Sequence, residues 1–326
     1  MYTSLKKVRA SNGEEGLISC VLGPDGAYRD RVLPLLGHKG KLWQWHIEEA
    51  LDRKLEDLQT RFYLIEIDGQ PATNVCTFER GPVGILGHVY TRPEHRQKGL
   101  ARALLTTVLE DFLSRGGDLL TLGTDYGSHA YRLYDSLGFR EILVDSGIMQ
   151  YTRDSAAEDR YWSPRSLTPA RATWGDWPGV SLLMQQPGPV MRSVAFEVAG
   201  REDFEAGYLK VQSSMLKELE ASSSVLRGGN GSVLGFATLT RDYRWHGSVW
   251  LLDHFLHRTV GRPQARALLD ALVWPKGKVQ AYVEAGHPSL PMLQDRGFVR
   301  EGLLKSQFDY EGHPVDVEVL SRQAPE

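Results

Sequence analysis

Residues 83–113 read VGILGHVYTRPEHRQKGLARALLTTVLEDFL, and this stretch decides the fold. Residues 83–91 are apolar and rich in β-favouring side chains, which predicts a buried strand. Residues 100–113 carry leucine at positions 100, 104, 105, 109 and 113, the spacing of a helix with one apolar face. A short polar turn joins the two, so the stretch predicts a strand, a turn and a helix in that order.

The turn before the helix is suited to binding an anion. The first amides of a helix have no acceptor within it, and the helix dipole is positive at that end. Gly99 lets the backbone come close to a ligand, Ala101 keeps the next turn narrow, and Arg96 and Lys98 add charge. The pattern predicts a pyrophosphate site, although it matches neither G-x-x-x-x-G-K-[ST] nor G-x-G-x-x-G.

A second motif follows at residues 118–139. Residues 118–124 (DLLTLGT) predict a strand, and Ser128 is placed to cap a short helix that ends at Gly138. The form R-x-x-G-x-A at residues 96–101 resembles the acetyl-CoA loop of the GNAT acetyltransferase superfamily. The run LYDSLGF at residues 133–139 resembles the L-Y-x-x-x-G-F signature near the end of GNAT domains. Both occur in the order of that family.

The resemblance implies an α/β fold around one mixed sheet. The elements predicted along the chain follow the same order: a short strand within 1–15, helices over 27–37 and 40–58, strands over 61–67 and 72–78 joined at Asp68-Gly69, the strand and helix above, a strand over 118–124, a helix over 129–137 and a strand over 147–152.

Length and composition predict two domains in a soluble protein. A chain of 326 residues exceeds one average domain. We expect a GNAT domain over 1–153, a polar linker over 154–166 and a second domain over 167–326. The net charge of −3 favours neither nucleic acid nor an anionic membrane. No apolar run predicts a membrane span or a secretory signal, so we expect a cytoplasmic protein, either monomer or homodimer.

The second half repeats the first weakly, which predicts a tandem GNAT-like architecture. The pentapeptide ARALL recurs at 265–269, and Gly297-Phe298 matches Gly138-Phe139. The second loop keeps R-x-x-G at 258–261, but Pro263 lacks an amide donor. Leu293 stands where the first half has Tyr134 and cannot transfer a proton. We expect a degenerate copy, with residual acyl-CoA binding as the alternative.

The resemblance also implies which residues carry the chemistry. Acetyl-CoA would be the co-substrate, without a metal, and a primary amine would attack it directly. The Val89 amide would stabilise the oxyanion, and Tyr134 would protonate the leaving thiolate. The residues expected to bind acetyl-CoA are Val89, Tyr90, Thr91, Arg96, Gln97, Lys98, Gly99, Leu100, Ala101, Arg102, Ser128, Tyr131 and Tyr134.

The general base is less well defined by the sequence. Asp125, which follows the strand over 118–124, is the first choice, acting through water. Glu48, Glu49 and His88 are alternatives, but strand alternation turns His88 away from Val89. Gly127 stands where the family often has an asparagine that contacts the coenzyme.

The function expected from these residues is an acetyl-CoA-dependent N-acetyltransferase that acts on a small-molecule or amino-acid-like amine. Two alternatives remain open. One is a non-catalytic acyl-CoA-binding or scaffold protein. The other is an aminoacyl-tRNA-dependent transferase of the same fold, a class that loses the coenzyme loop present here.

Overall fold

The computed structural model describes residues 1–186, 188, 191–193, 198–199, 205–216 and 221–323. The chain divides into two units. The first contains Met1–Ser163 and Thr173–Gly179, and the second contains Pro164–Ala172 and Val180–Glu326. Among the described residues, no helix is long and apolar enough to cross a membrane.

The first unit is a mixed α/β structure. Its elements in chain order are β1 Tyr2–Arg9, β2 Glu15–Leu22, α1 Arg29–Leu36, α2 Lys41–Asp52, β3 Gln59–Ile67, β4 Gln70–Arg80, β5 Val83–Thr91, α3 Leu100–Ser114, β6 Leu119–Gly123, α4 His129–Ser136, β7 Arg140–Glu141, β8 Ile148–Thr152 and α5 Ala157–Trp162.

One sheet organises this unit, with strand order β1-β2-β3-β4-β5-β6-β8-β7. Its neighbouring strands are antiparallel except β5 and β6, which are parallel. Helix α3 buries Leu100, Leu104, Leu105 and Leu109 against one face, together with Val75 and Leu86. Helix α2 lies on the other face, where His46 packs 5.1 Å from the ring of Phe78.

The second unit has its own sheet. The remaining elements are β9 Leu167–Arg171, α6 Trp177–Met184 (which begins in the first unit), β10 Met191–Ser193, β11 Val198–Ala199, α7 Glu205–Leu216, β12 Ser222–Gly228, β13 Val233–Asp242, β14 Val249–Leu256, α8 Arg262–Asp270, β15 Lys278–Glu284, α9 Leu290–Asp295, β16 Val299–Tyr310 and β17 His313–Gln323.

The two sheets share one topology. From β3 onward the first runs β3-β4-β5-β6-β8-β7, and the second runs β12-β13-β14-β15-β17-β16. In each, the third and fourth of these strands are the parallel pair. This common order supports the duplication that the sequence predicts.

Several predicted elements differ from the structure. The strand expected within 1–15 is present as β1, but the structure also has a strand that was not predicted, β2 over Glu15–Leu22, which pairs with β1 and β3. The helix expected over 40–58 ends at Asp52, and the following loop buries Leu55 and Leu58, whose spacing resembles a helical stripe. The segment predicted as a linker contains α5, which buries Ala157 and Tyr161.

Candidate active site

The carboxyl end of β5 has an open edge. Strands β5 and β6 pair only from Val83–Ile85 to Leu119–Thr121. Within residues 1–186, all of which are described, the rest of β5 up to Thr91 has no strand partner on that side. An unpaired strand edge presents free backbone donors and acceptors, so an extended ligand can pair with it.

A β-bulge sits at this open edge. Strands β4 and β5 pair in register at Cys76 with Gly87 and again at Asn74 with Tyr90, so His88 and Val89 together stand opposite one residue of β4. His88 has a φ of +54°, in the left-handed region. The bulge reorients the peptide that joins His88 to Val89.

Asn74 holds that peptide. Its Nδ2 donates a hydrogen bond of 2.6 Å to the carbonyl of His88. In a planar trans peptide the C=O and the next N–H point in opposite directions. The N–H of Val89 therefore points away from Asn74 and from β4.

The start of α3 is an anion cradle. Gly99 precedes the helix with a φ of +80°, and the first helical bond is from the Ala103 amide to the Gly99 carbonyl, at 3.1 Å. Within residues 1–186, the amides of residues 97–102 donate no hydrogen bond. A Cβ built on Gly99 would meet nothing within 4 Å, so the space over the turn is open. Six free amides at a helix N-terminus suit a pyrophosphate.

The basic side chains of this turn differ in whether another group of the protein already pairs with them. Lys98 places its Nζ 3.0 Å from Glu14, and this contact lowers the pKa of the Glu14 carboxyl. The charge that the sequence assigns to the anion site from Lys98 is therefore compensated within the protein. Arg102 donates to Ser136 at 2.8 Å. Arg96 is exposed, and its Nε donates to the Thr91 carbonyl at 3.0 Å.

The second motif brings Tyr134 to the same side of the sheet as Val89. Tyr134 lies in the core cluster under α3, and Val89 packs against that cluster. The ring of Tyr134 packs edge-on against that of Phe139, with the ring centroids 5.8 Å apart. Burial raises the pKa of Tyr134 to about 12, so it keeps its proton at neutral pH. Ser128 caps α4, with its hydroxyl accepting from the Tyr131 amide at 3.0 Å.

The candidate general bases lie in different environments. Asp125 is exposed in the turn after β6, and its backbone carbonyl accepts from the Ser128 amide. Glu49 pairs with Arg53, and Glu48 is exposed. His88 faces α2, where its ring lies 5.1 Å from Trp43. Burial lowers the pKa of His88 to about 3, so it is a poor base.

The sequence did not point to the aromatic cluster on the α2 side. His46 lies at its centre, 5.0 Å from Trp177 and 5.4 Å from Trp174. Both ring nitrogens of His46 lack a hydrogen-bond partner among the described residues. Burial alone lowers the pKa of His46 to about 3.

We expect this histidine to make the protein sensitive to acid. The unfolded chain binds a proton at His46 below about pH 6.5, whereas the folded chain binds it only near pH 3. Protonation of His46 therefore does not reduce stability above pH 6.5. Between pH 6.5 and pH 3 it lowers the free energy of unfolding by about 1.4 kcal/mol per pH unit as the pH falls. His46→Phe should flatten that slope in urea unfolding between pH 7 and 4. His129→Phe, at an exposed histidine, should leave it unchanged, and equal slopes for both variants would contradict the prediction.

The second unit lacks the special geometry of the first. Strand β14 pairs with β13 without a register shift. Gly261, which precedes α8, has a φ of −79° rather than a left-handed value. Helix α8 begins at Arg262, three residues before the repeated ARALL, because Pro263 suits the first turn of a helix. Over residues 233–270, which are all described, the second unit therefore keeps the topology of the first without the β-bulge and without a left-handed glycine before the helix.

The sequence of the first unit matches a known family. The model of the Acetyltransferase (GNAT) family matches residues 29–139, from α1 through α4 and Phe139. Residues 29–139 are a GNAT acetyltransferase domain. The bulge, the open edge and the amide cradle all lie within this GNAT domain. A search of curated proteins finds no match.

Solved structures similar to this chain include three acetyltransferases. A GNAT superfamily phosphinothricin acetyltransferase from Sinorhizobium meliloti, in complex with AcCoA, is 19% identical with a TM-score of 0.40, covering 48% of this chain and 87% of that chain. Ribosomal-protein-alanine N-acetyltransferase from Brucella melitensis is 19% identical with a TM-score of 0.39, covering 48% and 100%. Mutant forms of the spermidine/spermine N-acetyltransferase SpeG from Vibrio cholerae are 18% identical with a TM-score of 0.36, covering 48% and 92%.

Proposed function

We propose that the GNAT domain is an acetyl-CoA-dependent N-acetyltransferase that acts on the primary amine of a small-molecule or amino-acid-like acceptor. The observation that carries this proposal is the run of unpaired amides at residues 97–102 beside the open edge of β5. The cradle fits a pyrophosphate, and the edge fits the amide-containing pantetheine arm. Acetyl-CoA combines both groups.

The residues of the bulge and of α4 supply the chemistry. The acceptor nitrogen attacks the thioester carbonyl, and the developing oxyanion accepts a hydrogen bond from the Val89 amide. One such donor contributes about 3–4 kcal/mol to lowering a barrier. The C–S bond then breaks, and Tyr134 donates its proton to the departing thiolate. The amine proton leaves to water, for which Asp125 remains our first choice of relay.

The acceptor would enter from the α2 side of β5. The connection between α1 and α2 covers this side, with the ring of His38 4.7 Å from that of Tyr90. Gln44 fixes the connection by donating to the carbonyls of Gly37 at 3.0 Å and Lys39 at 2.6 Å. These contacts place the connection over the strand that would hold the thioester.

Lys39 favours an acceptor that carries a carboxylate. It is partly buried, burial lowers the pKa of its ammonium, and no carboxylate pairs with it among the described residues. An unpaired cation at this position would attract a carboxylate and repel a second ammonium. It would also lower the pKa of the acceptor amine, so that more of it is neutral and able to attack. Both effects support an amino-acid-like acceptor.

The acceptor class can be tested with matched substrates. We expect faster thiol release from acetyl-CoA with an α-amino acid than with the amine left by removing its carboxylate. Lys39→Met should raise KM for the amino acid about tenfold, which corresponds to about 1.4 kcal/mol, and should not raise KM for the amine, since that amine has no carboxylate for Lys39 to attract. Lys41→Met, at an exposed lysine, is the control. A preference for the amine lacking the carboxylate would contradict the assignment.

Tight acetyl-CoA binding without thiol release from any amine would instead favour an acyl-CoA-binding protein. For the second unit we propose a degenerate copy that does not bind the coenzyme. Gly261, which precedes α8, is not left-handed, and β13 and β14 pair without a bulge. Pro263 removes one amide donor from the start of α8.

A further inference from the structure

Asn74 is an unusual residue for its position in the sheet. It lies in the middle of β4 with 1% of its surface exposed. Strand interiors favour β-branched and aromatic side chains, and a buried amide costs free energy unless it is hydrogen-bonded. Its Nδ2 bonds the His88 carbonyl, but its Oδ1 has no partner among the described residues. A packing role alone does not explain an asparagine here.

Asn74 bonds the carbonyl of the peptide group whose N–H, that of Val89, is the proposed oxyanion donor. His88 has a positive φ, which costs a non-glycine residue about 1–2 kcal/mol. Without a bond to its carbonyl, the peptide between His88 and Val89 is free to relax to a regular strand conformation. That rotation would turn the Val89 N–H away from the open edge.

The second unit provides a comparison within the same chain. Asn74 lies six residues before Arg80, which pairs with Val83, the first residue of β5. The residue six before Asp242, which pairs with Val249 at the start of β14, is Phe236. Phe236 is fully buried and offers no donor. Within Val249–Leu256, all of it described, no residue has a positive φ, so the asparagine and the bulge are absent together.

We propose that Asn74 is a positioning residue for the acetyl transfer: it holds the His88 carbonyl so that the Val89 amide faces the thioester. This inference rests on the proposed function. It predicts that Asn74 acts on the rate of the chemical step and not on coenzyme binding, because the amides that would hold the pyrophosphate belong to residues 97–102, whereas Asn74 bonds the carbonyl of His88.

The test compares two substitutions with a neighbouring control. Asn74→Leu introduces a side chain of similar size that has no hydrogen-bond donor. Asn74→Thr introduces a residue that favours strands but is too short to reach the His88 carbonyl. Both should lower kcat about 100-fold, as loss of one oxyanion donor does, while Kd for acetyl-CoA changes less than threefold. Thr73→Val removes the neighbouring, partly buried hydrogen bond between the Thr73 and Thr91 hydroxyls, at 3.3 Å, and should keep kcat within threefold.

The outcomes separate this inference from the proposed function. If the wild-type protein turns over an amine and both Asn74 variants keep kcat within threefold, the positioning role is wrong while the function stands. Loss of acetyl-CoA binding in a folded Asn74→Thr protein would also overturn it, since that result indicates a general structural role. A wild-type protein without turnover on any amine would instead refute the function itself. If Asn74→Leu does not fold, Asn74→Thr decides the question.

Discussion

Gly99→Glu should weaken acetyl-CoA binding by more than 100-fold. Gly99 has a φ of +80°, which a side chain strains by about 1–2 kcal/mol. The glutamate would also place a negative charge at the helix start, where the unpaired amides of residues 97–102 are expected to hold a pyrophosphate. Because a Cβ at Gly99 meets no atom within 4 Å, the new side chain should not disrupt the core.

Gly116→Glu is a matched control for this variant. Gly116 follows the other end of the same helix, has a φ of +89°, and also leaves space for a Cβ. The two substitutions therefore introduce similar strain and the same charge. Calorimetric titration should show normal acetyl-CoA binding for Gly116→Glu and none for Gly99→Glu. Equal affinities in the two variants would show that the cradle is not the coenzyme site.

Tyr134→Phe should lower kcat about 100-fold and leave Kd for acetyl-CoA unchanged, because it removes the proposed proton donor without removing a binding surface. The ring would still pack edge-on against Phe139. The pKa of Tyr134 is about 12, so the hydroxyl stays protonated through the usual assay range. Its ionisation should therefore cause no loss of rate between pH 7 and 10.

Tyr151→Phe is the control for Tyr134. Tyr151 also packs against Phe139, with ring centroids 5.7 Å apart, but it lies on β8 outside the proposed site. It should keep kcat within threefold. A Tyr134→Phe enzyme with full kcat at saturating substrate would assign the proton transfer to another group, such as water.

The elements around the loop at residues 96–101 could be predicted from local sequence. Leucine spacing gives α3, and an apolar run gives β5 with the bounds observed, Val83–Thr91. The Ser128 cap follows from residue type, and its side chain does accept the Tyr131 amide. These features depend on residues close together in the chain, which is where propensity and periodicity are informative.

The bulge and its support could not be predicted in this way. Which residue of β4 faces Val89 depends on strand register, and no local pattern records that His88 takes a positive φ. Asn74 looks like an isolated polar residue until the register is known. The ion pair of Lys98 with Glu14 joins positions 84 residues apart, so the sequence suggested a free charge where the structure shows a compensated one.

The acceptor side depends even more on tertiary structure. Lys39 is unremarkable in sequence, and only the fold places the connection that carries it over Tyr90. Trp174 and Trp177 lie far along the chain from His46 but close around it in space. Pockets formed by connections between elements leave little local signal.

A calorimetric titration of the intact protein with acetyl-CoA, repeated with Gly99→Glu, would show directly whether the amides of residues 97–102 hold the coenzyme. We expect one site per chain, lost in the variant, because a left-handed glycine precedes α3, whereas Gly261, which precedes α8, has a φ of −79°. Two sites would contradict the degenerate second unit. No binding to the wild-type chain would contradict the acetyltransferase assignment.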